Sequence, residues 1–125
     1  VELYDEHLAR YKFGDLLLDT FIYNGHTTTI ESLWAGLPVI TLEGNSFASR
    51  VSSSILKSIG FDNLVAKTKE EYIEKVVFYL QNKNQLNNLK KTLLKLKNQN
   101  ALFNTNEFVR NFEKVLHDIK YDIKE

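Results

Sequence analysis

Residues 24–31, Asn-Gly-His-Thr-Thr-Thr-Ile-Glu, crowd a histidine, consecutive threonine hydroxyls and a carboxylate around what reads as the start of a helix. A helix N-terminus offers unpaired N–H groups and a partial positive charge, and hydroxyls beside it add donors suited to phosphate oxygens. On this reading Gly25 lets the backbone approach a ligand, His26 donates to a phosphate or a sugar hydroxyl, and Thr27 and Thr28 line a phosphate seat. Glu31, one turn into the helix, can accept from two vicinal ribose hydroxyls. A plainer reading of the same residues stands beside it. Thr28-x-x-Glu31 is also a capping box, and threonines before a helix are ordinary N-cap chemistry.

Other chemistries fit less well. Neither a Walker motif nor GxGxxG is present. His7, His26 and His117 are far apart in sequence and have no paired ligands at zinc spacing, so no metal is expected. "GNSFAS" (44–49) is not a nucleophile elbow, and the absence of cysteine excludes thiolate nucleophiles, thiolate metal sites and disulfides.

The elements that must carry these residues alternate. Residues 5–12 suit a short helix that ends near Gly14. Leu16, Leu17 and Leu18 form an unbroken apolar run that predicts a short strand buried on both faces. A loop from Asp19, turning near Asn24-Gly25, then enters a helix through His26–Thr29, with Ile30, Leu33 and Trp34 on one face and Gly36 and Pro38 as its stop. Residues 38–42 suit a second strand, and 46–59 a helix with Phe47, Val51, Ile55 and Ile59 on its apolar face, closed by Gly60. A third strand follows at 63–66, and Thr68-x-x-Glu71 opens the next helix. Helices between strands imply parallel pairing, an α/β arrangement in which ligands bind beyond the carboxyl ends of the strands.

From Asn82 the composition shifts to Asn, Lys and Leu. Leu86, Leu89, Leu93 and Leu96 make a stripe too short for a coiled coil, which predicts packing on the domain. After "NQNALFNT", the residues Phe108, Phe112, Val115, Leu116 and Ile119 define a last amphipathic helix. The expected organisation is therefore a partial Rossmann-like lobe over 1–81 with C-terminal helices over 82–125.

With 125 residues and 43% hydrophobic content, one compact unit is the expectation. Sixteen basic residues balance sixteen acidic ones, so no global field draws in nucleic acid or an anionic membrane. No apolar run has the length of a membrane span, and the N-terminus lacks signal-peptide character. A cytoplasmic protein is expected. A chain that starts at Val1 and contains no methionine also reads as a piece of a longer protein.

Several separate motifs also carry a resemblance: "LDT…YNGHTT", "LWAGLPVIT", "ASR" and, later, "LFNT" at 102–105. In order and spacing, over roughly residues 5–120, they resemble the C-terminal catalytic lobe of O-linked N-acetylglucosamine transferases, the family that includes the SPINDLY-like proteins. The resemblance implies a GT-B fold, of which this chain would be the latter half of one lobe, and a UDP-sugar donor whose sugar passes to Ser or Thr hydroxyls of a protein acceptor. It implies that His7 packs against uracil, that Gly25, His26, Thr27 and Thr28 hold the diphosphate and the adjoining sugar, and that Glu31 contacts the ribose. Tyr4 stands where relatives can have a basic residue, Thr29 where some have glycine, and Tyr23 lies near the expected sugar pocket. The acceptor lobe and the tetratricopeptide repeats of the family would lie upstream, so the isolated chain is expected to be inactive.

Two further readings remain at this point: a non-catalytic α/β interaction module, in which His26 and Thr28 can be changed without loss, and a nucleotide-sugar epimerase-like lobe that seats UDP in the same way. A half-sheet of this kind exposes a parallel edge and apolar helix faces, which predicts a homodimer or a rearranged edge.

Overall fold

The computed structural model describes residues 3–97 and 100–122. Val1, Glu2, Ile123–Glu125 and residues 98 and 99 of the expected break lie outside the described residues. The elements are α1 (Tyr4–Arg10), β1 (Leu17–Leu18), α2 (Thr27–Trp34), β2 (Val39–Leu42), α3 (Val51–Ser58), β3 (Val65–Ala66), α4 (Lys69–Gln81), α5 (Lys83–Leu96) and α6 (Thr105–Asp122), with short 3₁₀ turns at 11–13, 62–64 and 101–103. The strands form a parallel sheet in the order β1-β2-β3, with Leu17 opposite Val39, Leu18 opposite Ile40, Thr41 opposite Val65 and Leu42 opposite Ala66. The expected α/β fold with three parallel strands is the observed one.

The core forms around the central strand. Val39 and Ile40 are fully buried, and Leu33 of α2, Leu56 of α3, Tyr72 and Tyr79 of α4, and Leu86 and Leu93 of α5 close over them. The leucine stripe of α5 thus packs on the domain, with Leu89 and Leu96 at its margin. Lys90 ties α5 to the segment before β1 by donating to the Gly14 carbonyl (2.8 Å) and to Asp15 (3.2 Å). Among the described residues, no helix is long and apolar enough to cross a membrane.

Three expectations are corrected. Leu18 is 53% exposed rather than buried, because β1 has a strand neighbour on one side only. The helix expected from Ser46 begins at Val51. Ser46 and Ser49 bond each other's backbone and hydroxyl groups and hold 46–49 in a turn, which leaves Phe47 76% exposed. Third, α2 begins at Thr27 with His26 at its N-cap and no side chain capping it, so Thr28-x-x-Glu31 does not form a capping box. The Thr68 cap does form: its hydroxyl accepts from the Glu71 amide at 3.1 Å, while the Glu71 carboxylate accepts from the Lys67 amide at 2.7 Å.

Candidate functional site

The loop from β1 into α2 is built around Asp19, a buried carboxylate at the carboxyl end of the sheet. Its Oδ1 accepts from the amides of Thr20 (3.0 Å) and Gly25 (2.7 Å), and its Oδ2 from the Thr41 hydroxyl of β2 (2.6 Å). The Tyr72 hydroxyl of α4 donates to the Asp19 carbonyl at 3.1 Å. Burial, and then the Asp19 charge, push that phenol up to about 12, so it stays a donor at neutral pH. Further along, Asn24 is buried, with its amide donating to the Ala48 carbonyl at 2.9 Å and its Nδ2 to the Thr20 carbonyl at 3.1 Å. Two loops therefore meet at the carboxyl ends of the strands, where the fold places ligand sites.

This frame presents the α2 N-terminus. Thr27 and Thr28 are exposed in the first turn, and no side chain occupies the cap. The His26 imidazole stacks on Tyr23 with ring centroids 5.1 Å apart and meets Phe47 edge-on at 6.2 Å. Among the described residues the buried His26 Nε2 has no hydrogen-bond partner, and neither has Asn24 Oδ1. Gly25 is required by its surroundings, since a Cβ there would lie 2.7 Å from Thr29 Oγ1.

Glu31 reaches the other way, to α1 and the turn after it. Its Oε1 accepts from the Tyr4 hydroxyl at 3.2 Å, and its Oε2 accepts from the Tyr11 hydroxyl at 3.3 Å and lies 3.4 Å from His7 Nε2. Lost hydration, and then the Glu31 carboxylate, raise both phenols above their ordinary range. These bonds are long, hence weak and readily exchanged for the hydroxyls of a ligand.

Residues 1–112 match the family model described as Glycosyl transferase family 41. The chain belongs to this family. A probable UDP-N-acetylglucosamine–peptide N-acetylglucosaminyltransferase SPINDLY of Solanum lycopersicum is 38% identical over 110 residues, which are 88% of this chain and 12% of that protein. A UDP-N-acetylglucosamine–peptide N-acetylglucosaminyltransferase of Caenorhabditis elegans is 35% identical over 112 residues, 90% of this chain and 10% of that protein. The structure of a mutant O-GlcNAc transferase of Thermobaculum terrenum superposes with a TM-score of 0.79 at 34% identity, over 94% of this chain and 23% of that chain. The family 41 chain thus spans about an eighth of the length of the tomato relative.

Within this family 41 chain, the residues singled out from sequence come together. Gly25, His26, Thr27 and Thr28 run into the first turn of α2, Glu31 follows one turn on, and His7 lies against it. Sequence reasoning missed Asp19 and Tyr11, which bond Thr41 and Glu31, 22 and 20 positions away along the chain. It also missed Glu43, at the end of β2, which accepts from Ser53 (3.0 Å), Lys57 (2.6 Å) and Lys67. The two lysines and then Ser53 hold its carboxyl down at about 2, against the cost of its burial. Two depressions flank Glu43, of about 560 Å³ along α3 and about 430 Å³ toward Phe21 and Lys69. Neither has Thr27, Thr28 or Glu31 in its wall.

Proposed function

We propose that this chain supplies the nucleotide-sugar-binding part of a UDP-sugar-dependent glycosyltransferase that passes N-acetylglucosamine to Ser or Thr hydroxyls of a protein acceptor. The observation that carries the reading is the uncapped N-terminus of α2, with Gly25, His26, Thr27 and Thr28 around it and the Glu31–His7 pair at 3.4 Å beside it. Such an arrangement suits a ligand with a diphosphate at one end and a ribose and a flat base at the other. The α2 amides and the Thr27 and Thr28 hydroxyls take the diphosphate, Glu31 takes the ribose hydroxyls in exchange for its long phenol bonds, and His7 packs against the base. His26 stacks on Tyr23 at the edge of this seat, its buried Nε2 without a hydrogen-bond partner among the described residues.

As the bond from the sugar to the β-phosphate breaks, negative charge grows on the departing UDP. Fixed N–H and O–H donors at the helix N-terminus stabilise that charge without reorganising. These residues serve binding and leaving-group stabilisation, and none is assigned as the general base. The names of the relatives support the donor and the peptide acceptor, each as properties of those proteins. Relative to an interaction module, this reading predicts that the loop residues matter.

Titration with UDP, observed by NMR of the ligand, tests it on the wild-type chain and on His26→Ala and Thr28→Ala variants of intact fold. Binding in the millimolar range or tighter is expected, weakened about tenfold by either substitution through loss of a charge-assisted hydrogen bond. Equal binding by all three proteins would overturn the assignment.

A further inference from the structure

The Gly25 peptide is gripped on both sides. Its N–H donates to Asp19 Oδ1 at 2.7 Å. Its carbonyl lies 2.9 Å from Thr29 Oγ1 of α2 and 2.8 Å from Ser52 Oγ of α3, and the two hydroxyl oxygens are 2.8 Å from each other. Both hydroxyl residues are fully buried.

Counting hydrogens makes the arrangement informative. Two hydroxyls carry two hydrogens between them, while the triangle has three oxygen–oxygen contacts. Either one hydroxyl donates to the other, which donates to the carbonyl, or both donate to the carbonyl. Removing one hydroxyl leaves the other able to serve the Gly25 carbonyl; removing both orphans it. One donor satisfies a buried carbonyl, so a second exceeds what burial demands and fixes the direction of the peptide as well. The direction of this peptide sets the next residues, His26, Thr27 and Thr28.

We propose that Thr29 and Ser52 are a redundant pair of positioning residues that set the Gly25–Thr28 backbone for a nucleoside diphosphate. The ligand in this statement rests on the function proposed above; the redundancy does not. It also explains a threonine at position 29, whose hydroxyl fills the space that a side chain at position 25 would need.

The test compares wild type, Ser52→Ala, Thr29→Val, the double variant and Thr29→Ser, first by amide hydrogen exchange without ligand and then by UDP titration. Each single variant is expected to change exchange at residues 25–28 by less than about threefold, and the double variant to raise it by about tenfold or more, with α4 amides unchanged. Thr29→Ser, which keeps the hydroxyl, should behave as wild type. The dissociation constant for UDP should rise in the double variant beyond the product of the two single effects.

Exchange in the double variant equal to the product of the singles, or a rise shared by α4, would overturn the proposal, and so would unchanged UDP affinity in a double variant with loosened amides. Should the expected exchange pattern appear in a protein that does not bind UDP, the redundancy stands and the nucleotide reading falls. If the double variant does not fold, Thr29→Ser combined with Ser52→Ala leaves one hydroxyl; exchange within about threefold of wild type supports redundancy, and a tenfold rise overturns it.

Discussion

Ile22 shows how the site loop is held. It lies at φ 71°, a region that β-branched residues avoid, and its side chain is 86% exposed, so burial returns little for the strain. Its neighbours impose the conformation: the Thr20 hydroxyl donates to the Tyr23 carbonyl at 2.5 Å and the Asn24 amide to Ala48 at 2.9 Å. Asparagine tolerates this region, so Ile22→Asn should stabilise the chain by about 1 kcal/mol, measured by thermal or denaturant unfolding. A loss of stability would mean that the isoleucine side chain supports the loop. At this scale the sequence was only partly legible. It points to a turn near Asn24-Gly25, whereas the left-handed residue is Ile22, and it does not show that Thr29 Oγ1 also excludes a side chain at Gly25. Glu31 was legible as a carboxylate of interest but not its partners Tyr4 and Tyr11, which are 27 and 20 positions away. Local patterns report local bonds, whereas the bonds of Glu31 to the two tyrosines and of Asp19 to Thr41 are made across the fold.

Element ends are more legible because their chemistry is local. Gly36 and Gly60, both expected as stops, close α2 and α3 in left-handed conformations with φ 85° and 78°. In each case the paired bonds of a Schellman motif form: Leu37 to Ser32 and Gly36 to Leu33, and Phe61 to Leu56 and Gly60 to Lys57. The start of α3 was not legible, because the bonds of Ser46 and Ser49 compete with helix in a stretch whose apolar period fits one. The two glycines also separate two costs. A Cβ on Gly60 meets nothing within 4 Å, so Gly60→Ala should lose only the conformational term, about 1 kcal/mol. A Cβ on Gly36 would lie 2.8 Å from Cδ2 of Leu94, a half-exposed side chain of α5 that must turn aside, so Gly36→Ala should lose slightly more, by about 0.5 kcal/mol. Combining Gly36→Ala with Leu94→Ala removes the clash and should leave a shortfall between the two substitutions that is less than additive in denaturant unfolding. Strict additivity would place the whole Gly36 effect in the backbone.

For the molecule as a whole, cohesion is uneven. The strands and α2 to α5 share the core, while α6 keeps Phe108, Phe112, Val115, Leu116 and Ile119 at 50–63% exposure. Beyond the core, Glu43 fastens the end of β2 to α3 through Ser53 and Lys57 and to the segment after β3 through Lys67. Three segments distant in sequence therefore depend on one ionised carboxylate. Its pKa falls from 4.5 to about 2 on folding. A depressed folded value means that the unfolded chain binds the proton more readily, so this contribution is complete above about 4.5 and is lost as pH falls through about 2. Both lysines are partly exposed, so solvent screening keeps the worth of the cluster modest, about 1 kcal/mol. Glu70 and Glu71 are also lowered, so acid unfolding of wild type alone mixes several groups. The difference between wild type and Glu43→Gln isolates this one. Wild type should be the more stable at neutral pH, with its advantage shrinking toward zero as pH approaches 2 in paired unfolding measurements. An advantage that stays constant across that window would assign the role of Glu43 to shape and neutral hydrogen bonding, and the three segments would then be joined without help from its charge.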